Sequence, residues 1–381
     1  MRRLRRILLT LVIFLAGTCL SASAGEQAAS VAKVESAVGE PGQSVSAAEV
    51  SDSAATGQTG QDINVQKIIF GHIGNSYKWE IANIAGKEIA LSLPVIVRSG
   101  TGWHLFSSKR LEEGEEYQGL SIAASGKYEG KIVEKTASGE DKRPFDISIT
   151  KNVLSLFISS ALLVVLILIC ARWYKRHDVN KEAPTGFAAL MEPVIMMIHS
   201  EVVKESIGPD YQKYSPYLCT AFFWILLNNM MGIIPFFPGG ANLTGNITIT
   251  FFLAFCTFIA VNAFGIKDYY KSIFWPDVPV WLKVPIPLMP VIEIFSALTK
   301  PFALMVRLFA NMMAGHVLII SLVCVIFIMA KYGAVMIGSM SVMAVVFGIF
   351  MDALELLVSF IQAYVFTILS AIFIGLSRQK E

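Results

Sequence analysis

Two long apolar segments near the end of the chain restrict its fold more than any other feature. Residues 291–330 and 335–376 are each about 40 residues long and carry few charged side chains. As helices rising about 1.5 Å per residue, each would be roughly 60 Å long, about twice the hydrocarbon core of a bilayer. Splitting each into two spans requires polar turns that the sequence lacks. We therefore predict two steeply tilted or bent transmembrane helices joined near Lys331, with Pro301 bending the first.

Composition supports a membrane protein. The 381 residues are 54% hydrophobic and 16% charged, whereas soluble chains carry about 25% charged residues. The deficit of charged residues predicts the lipid bilayer as the environment of the chain, and the net charge of +2 produces no global field that would attract nucleic acid. The sequence has no zinc-type cysteine spacing and no phosphate-binding glycine loop. We therefore predict no cofactor and no metal site in this chain, and any nucleotide chemistry must take place elsewhere.

The first 150 residues are predicted to lie outside the membrane. Residues 1–24 combine a basic start, a short apolar run and a small-residue cleavage site, which together indicate a signal peptide. Residues 25–60 are rich in Ala, Ser, Gly and Glu without any aromatic residue, which predicts a disordered linker. Residues 61–150 contain alternating polar and apolar runs that predict a small β-rich domain, whose function the sequence does not reveal.

Three shorter apolar runs complete the predicted membrane domain, residues 151–381. Spans are expected at 153–173, 217–234 and 247–266, whereas charged residues within 187–207 favour an amphipathic helix at the inner surface. Basic residues after Trp173 orient the first span from outside to inside. The predicted fold class is an all-α polytopic membrane protein. It has five transmembrane helices, including the long C-terminal hairpin, a periplasmic β-rich domain and a cytoplasmic C-terminus.

Arg307, within the first long segment, is the leading functional candidate. An arginine at mid-bilayer costs about 2.5–3.5 kcal/mol on insertion scales, so such residues usually face a cavity or a partner. The structural alternative is an ion pair with a neighbouring helix. At 100° per residue, Ala303, Ala310, Asn311 and Ala314 share its face, which would admit a second helix closely or pack within the chain.

The second long segment carries a polar face beside the first. Polar side chains recur there at i, i+3, i+7 and i+10, a spacing that places them on one side of a helix. A polar stripe at this depth requires water or partner side chains. Its members are Asp352, Glu355, Ser359 and Gln362.

These groups predict two separate aqueous half-paths divided by Arg307. His316 lies toward the outside and can pair with Glu355, whereas Glu293 lies about four turns toward the inside. A lone histidine on an apolar helix is also a common packing residue, and both interpretations remain open. Lys300 can extend its amine to the membrane surface, so we interpret it, like Asp352, as interfacial.

The same residues carry a family resemblance. Residues 300–316 resemble the arginine helix of subunit a of F-type ATP synthases, whose motif Arg-Leu-x-x-Asn-x-x-Ala-Gly begins here at Arg307. The resemblance covers residues 150–381. Further matching positions are Glu293, residues 229–235, residues 238–242, Glu355 and Gln362.

The resemblance implies a proton-translocating stator in a cell inner membrane. Its partners would be a rotating ring of c subunits, the b-subunit peripheral stalk and the remaining ATP synthase subunits. Arg307 would face the ring carboxylate, with Asn311 and Gln362 close to it. His316 and Glu355 would line the outer half-channel and Glu293 the inner one.

The His316 and Glu355 positions are exchanged relative to well-studied bacterial members and resemble mitochondrial ones. Asn229, Asp352 and Ser359 are additional candidates along the proton path.

Two other functions compete with the stator. A secondary transporter or ion channel would be expected to show an inverted repeat or broken helices, and we see no repeat. A structural membrane subunit with an external adhesion domain would leave Arg307 unexplained. Protons are favoured over Na⁺ because a histidine and glutamate pair suits proton relay.

Overall fold

The computed structural model describes most of the chain after residue 73. The predicted signal peptide (1–24) and linker (25–60) lie outside the described residues, as does Lys331. The described residues are 74–84, 87–123, 128, 130–135, 141–178, 182–234, 239–274, 288–329 and 333–378.

Short strands precede the first helix, so the predicted β-rich domain is seen in part. They form a β1–β2 hairpin and two three-stranded antiparallel sheets of order β4–β3–β8 and β5–β6–β7. The strands are β1 Lys78–Ile84, β2 Lys87–Ser92, β3 Pro94–Ser99, β4 Gly102–Ser107, β5 Leu120–Ile122, β6 Ile132–Lys135, β7 Asp141–Lys142 and β8 Phe145–Asp146.

The β-rich domain joins the first helix through a bonded junction. The Lys151 amide donates a hydrogen bond to the Ser76 carbonyl, at 2.9 Å. The Asn75 side chain contributes two more bonds: its Nδ2 donates to Thr150 Oγ1 at 3.0 Å, and its Oδ1 accepts from the Asn152 amide at 3.2 Å. These bonds hold the domain at the start of the helix.

The rest of the described chain is mainly helical. Four helical segments are long and apolar enough to cross a membrane, and a fifth apolar helix, α5, has 17 residues. The helices are α1 Lys151–Arg176, α2 Phe187–Met196, α3 Glu205–Ile207, α4 Tyr211–Ile233, α5 Ile247–Ala263, α6 Lys267–Phe274, α7 Leu288–Met329 and α8 Ala334–Leu376.

The two long segments are continuous helices, as predicted. The α7 helix has 42 residues and contains Pro301 without interruption, and α8 has 43. Their length follows from the lack of polar turn sequences inside either apolar run. The α4 helix begins at Tyr211, six residues before the predicted span, because a more polar first turn precedes the apolar run within the same helix.

The segment predicted as an amphipathic helix is helical but irregular. A π-helical stretch, Met197–Lys204, joins α2 to α3, and a short 3₁₀ turn, Gly208–Asp210, leads into α4. Gly208 has a φ of +76°, a conformation that favours glycine and breaks the helix at the predicted position.

Helices α4 and α8 pack antiparallel at the centre of the membrane domain. Asp210 pairs with Arg378 at one end, and nineteen residues further along α4 the Asn229 side chain bonds the Ser359 carbonyl, nineteen residues before Arg378. Their buried apolar side chains, among them Phe222 and Phe366, belong to one core cluster.

Arg378 fixes the C-terminal end of α8 against other elements. It bonds the Asp210 carboxylate, which raises the pKa of the Arg378 guanidinium above its usual value. It also donates to the Phe264 carbonyl at 3.1 Å, while the Ile266 amide donates to the Ser377 carbonyl at 3.0 Å. These contacts join the C-terminal end of α8 to the start of α4 and the end of α5.

Gly375 of α8 lies against the backbone of α3, and this close contact predicts the effect of a substitution. A Cβ atom at Gly375 would lie 2.0 Å from the Ser206 backbone oxygen, so Gly375→Ala forces α8 away from α3. We expect a loss of about 1–3 kcal/mol in stability, typical of overpacking. Differential scanning of the purified complex measures it as a lower unfolding temperature.

Gly348→Ala is the matched control, because a Cβ at Gly348 on the same helix meets nothing within 4 Å. Equal unfolding temperatures for the two variants would contradict the prediction.

Candidate functional site

Helix α7 presents Arg307 on an exposed face of small residues. Within an 18-residue apolar stretch of this helix, only 11% is buried against other parts of the chain. Because the small residues beside Arg307 are exposed, this face can receive another helix. The exposed residues beside Arg307 are Ala303, Ala310, Asn311 and Ala314.

Arg307 forms no ion pair with any acidic side chain in the described part of the chain. The alternative that it ties two helices of this chain together therefore finds no partner there. It lines a cavity of about 330 Å³ between α7 and α8, and the other lining residues are Thr299, Lys300, Ala303, Leu304, Leu369 and Phe373.

Lys300 lies in the same cavity, where sequence reasoning did not place it. Its Nζ lies 5.7 Å from the centre of the Phe373 ring, within the range of a cation–π contact. Lys300 precedes Arg307 by seven residues, two helical turns, so the helical period could have found this shared environment.

His316 faces the opposite side of α7 and contacts α8. Its Nδ1 lies 3.3 Å from Glu355 Oε1, with the two side chains 14% and 6% exposed. Neither oxygen of the Glu355 carboxylate accepts a hydrogen bond from the described protein atoms. The two side chains are therefore close and largely buried within this chain, although the sequence could not show that they meet.

Two glycines make room for this pair. A Cβ at Gly315 would lie 2.9 Å from Glu355 Oε1, and one at Gly232 would lie 3.4 Å from His316 Nε2. Gly315 belongs to the arginine-helix motif, but sequence reasoning assigned neither glycine a role. Their position opposite large polar groups becomes evident only from the packing of three helices.

The predicted polar face of α8 divides in the structure. Glu355, Ser359 and Gln362 are buried, whereas Asp352, interpreted from the sequence as interfacial, is exposed. Asp352 precedes Glu355 by three residues, which rotates it about 60° around the helix. That rotation moves Asp352 off the packed side.

Asn229 connects the buried part of this face to α4. Its Nδ2 donates to the Ser359 carbonyl at 3.3 Å, and the side chain is fully buried. Asn229 Oδ1 and Ser359 Oγ have no hydrogen-bond partner among the described protein atoms. Buried polar atoms left in this way require water or a ligand group, so this region can hold a hydrated path.

Glu293 is half-buried near the start of α7, away from the other candidates. Tyr269 of α6 lies within its electrostatic influence and donates a hydrogen bond to Asn262 Oδ1 at 3.4 Å. Burial, then the neighbouring Tyr270 and Glu293, raise the pKa of Tyr269 above its ordinary value. The structure thus brings His316 and Glu355 together and keeps Glu293 separate.

No group of three or more histidine, cysteine, aspartate or glutamate side chains with metal-site geometry occurs within the described ranges.

Comparison with known proteins identifies the family to which the chain is similar: the family described as ATP synthase A chain matches residues 155–375. The chain belongs to the ATP synthase subunit a family. The match begins in α1 and includes every candidate residue discussed above.

Individual proteins similar to this subunit a chain belong to the same family. ATP synthase subunit a of Chlorobium phaeobacteroides is 43% identical over 242 residues, covering 62% of this chain and 67% of the relative. ATP synthase subunit a of Myxococcus xanthus is 34% identical over 303 residues, covering 76% of this chain and 88% of the relative. Residues 68–155 match a separate family described as a domain of unknown function (DUF8433).

Proposed function

We propose that this chain is the proton-translocating stator of an F-type ATP synthase, with Arg307 facing a rotating ring of c subunits. The observation that carries the proposal is the exposed arginine on a face of small residues, in a chain of the subunit a family. A membrane-embedded cation without an acidic partner in the described chain requires an anionic partner elsewhere. A carboxylate on each c subunit supplies it.

Arg307 acts on the ring electrostatically. A cation within about 4–6 Å lowers the pKa of a carboxylate by 1–3 units. Each ring carboxylate that passes Arg307 therefore releases its proton, and the arginine's own charge prevents protons from leaking directly between the two half-paths. Proton flow is thereby coupled to rotation.

Two half-paths serve the ring from opposite sides. His316 and Glu355 form the outer one, supported by their 3.3 Å approach, and Glu293 the inner one. Asn229, Ser359 and Gln362 line the buried polar region that leads to them, whereas Asn311 lies beside Arg307 on the exposed face. A histidine and glutamate pair suits protons as the coupling ion.

The remaining features belong to the same proposal. The chain spans an inner membrane five times, α5 included, with its β-rich domain in the periplasm and its C-terminus in the cytoplasm. The b-subunit peripheral stalk holds it against rotation. Each proton crossing 100 mV contributes about 2.3 kcal/mol, so several are needed per nucleotide, whose chemistry takes place on other subunits.

Dependence on the ring tests the stator against a self-contained transporter. We expect proteoliposomes containing this chain alone to show no potential-driven proton flux above that of empty liposomes. Adding the c ring and peripheral stalk should produce flux, measured with a pH-sensitive dye. Equal flux with and without the ring would establish a transporter and overturn the proposal.

A further inference from the structure

One face of the β4–β3–β8 sheet is apolar and uncovered. The other face contributes Val95, Val97 and Phe106 to the core of the β-rich domain. On the uncovered face, four large apolar side chains are between 43% and 74% exposed. An apolar surface of this kind marks a site of interaction. The four residues are Trp103, Leu105, Phe145 and Ile147.

Strand pairing brings these side chains together in two rows. In the first row, Trp103 of β4 lies opposite Arg98 of β3, and Arg98 lies opposite Phe145 of β8. Residues directly opposite one another in an antiparallel pair share a face of the sheet. The Arg98 guanidinium carbon lies 5.8 Å from the centre of the Trp103 ring, within the range of a cation–π contact. The row therefore places a cation between two aromatic residues.

The second row lies two residues further along each strand. Leu105 of β4 lies opposite Ile96 of β3, and the Ile147 amide donates a hydrogen bond to the Ile96 carbonyl at 2.9 Å. Side chains two residues apart on a strand point to the same face. The two rows thus form one surface, which we call the outer-face patch. Its members are Ile96, Arg98, Trp103, Leu105, Phe145 and Ile147.

The strand that carries two members of this patch leads directly into α1. The Ile149 amide donates to the Pro94 carbonyl at 3.2 Å, and α1 begins two residues later at Lys151. At about 3.3 Å per residue, Phe145 lies at most about 20 Å from the start of α1. Because α1 is long and apolar enough to cross a membrane, the patch lies close to the bilayer surface at which α1 begins.

We propose that the outer-face patch rests on the lipid headgroups of the leaflet at which α1 begins. Its apolar side chains enter the boundary between headgroups and acyl chains, and the Arg98 guanidinium bonds lipid phosphate. The hydrogen bonds of Asn75 and Ser76 to residues 150–152 hold the domain at this end of the helix. The proposal requires only that α1 spans the membrane, and it does not depend on the stator function.

The chemistry of the patch fits lipid better than a protein partner. Tryptophan is enriched at membrane–water interfaces, where its ring lies at the level of the headgroups. A guanidinium group bonds phosphate strongly through paired N–H donors, and Arg98 lies among apolar side chains that the bilayer surface can receive. A stable protein interface has about 20–30 residues on each side, far more than this patch provides.

Spin-label accessibility tests whether the patch contacts lipid. A nitroxide is attached at Leu105→Cys in the full chain, with the native cysteines replaced by alanine, in liposomes of phosphatidylethanolamine and phosphatidylglycerol. Molecular oxygen concentrates in lipid and a nickel chelate in water. We expect the ratio of collisions with oxygen to collisions with the chelate to be several-fold higher than for the same label at Glu115→Cys.

Glu115 is the matched control because it is exposed on another part of the same domain. It follows the 3₁₀ segment Ser108–Gly114, whose Leu111 belongs to the core cluster that also contains Val97 from the inner face of the sheet. Equal ratios at the two positions would place the patch in water and overturn the proposal. Protection of the Leu105→Cys label from both reagents would show that protein covers the patch, which would overturn it equally.

A charge reversal tests the role of Arg98. Added to the labelled Leu105→Cys chain, Arg98→Glu places a carboxylate beside lipid phosphate, so we expect the oxygen-to-nickel ratio to fall several-fold. Lys109→Glu makes the same change of charge at an exposed position of the 3₁₀ segment and should leave the ratio unchanged. An unchanged ratio in Arg98→Glu, or an equal fall in the control, would contradict phosphate binding by Arg98.

Discussion

We expect Arg307→Ala to abolish ATP-driven proton pumping in inverted membrane vesicles while the complex still assembles. A nearby cation lowers the pKa of a carboxylate by 1–3 units, which favours the ionised form about 10- to 1000-fold. The variant loses this effect on the ring carboxylate. We expect assembly to be retained because the side chain is exposed and forms no ion pair with another described residue of this chain. Quenching of a pH-sensitive dye measures pumping, and co-purification of the soluble ATPase sector measures assembly.

Lys300→Met is the matched control for Arg307→Ala. Lys300 lines the same cavity and carries the same charge, but its amine lies over the Phe373 ring. We expect this variant to retain most of the pumping activity, because Lys300 lies two turns from the exposed motif. Normal pumping by Arg307→Ala would make the arginine structural and the two-path mechanism wrong.

Glu355→Ala should lower the pumping rate about 100-fold or more. Proton transfer by a positioned side chain contributes typically 10²–10⁴-fold to a rate, and Glu355 is the buried carboxylate that approaches His316 at 3.3 Å. Loss of the side chain interrupts the outer half-path without exposing the core. The same vesicle assay measures the rate, with assembly checked as for Arg307.

An exchange of the two residues separates their chemistry from their positions. His316→Glu combined with Glu355→His keeps one imidazole and one carboxylate in contact, so we expect this double variant to recover a large part of the activity lost by either single change. Asp352→Asn, one turn away and exposed, is the control and should pump normally. Full activity in Glu355→Ala would remove Glu355 from the path.

Prediction from sequence succeeded where a single helix determines the outcome. The length of α7 and α8 follows from apolar runs without polar turns, and the exposed face around Arg307 follows from 100° rotation per residue. The period alone does not separate Asp352 from Glu355, yet their 60° offset is enough to place one side chain on the exposed side and the other on the packed side. The helical period gives the angle between side chains around the helix axis, but it does not give how much of the helix surface the neighbouring helices cover.

The sequence by itself determined the helix lengths, the family motif around Arg307 and the clustering of polar groups on α8. Only the tertiary structure decided that His316 meets Glu355, that Asn229 bonds Ser359 and that Lys300 shares a cavity with Arg307. The physical reason is that local sequence sets how residues are arranged around one helix axis. Which neighbour each face meets depends on how several helices pack, and glycines such as Gly315 and Gly375 set how closely they approach.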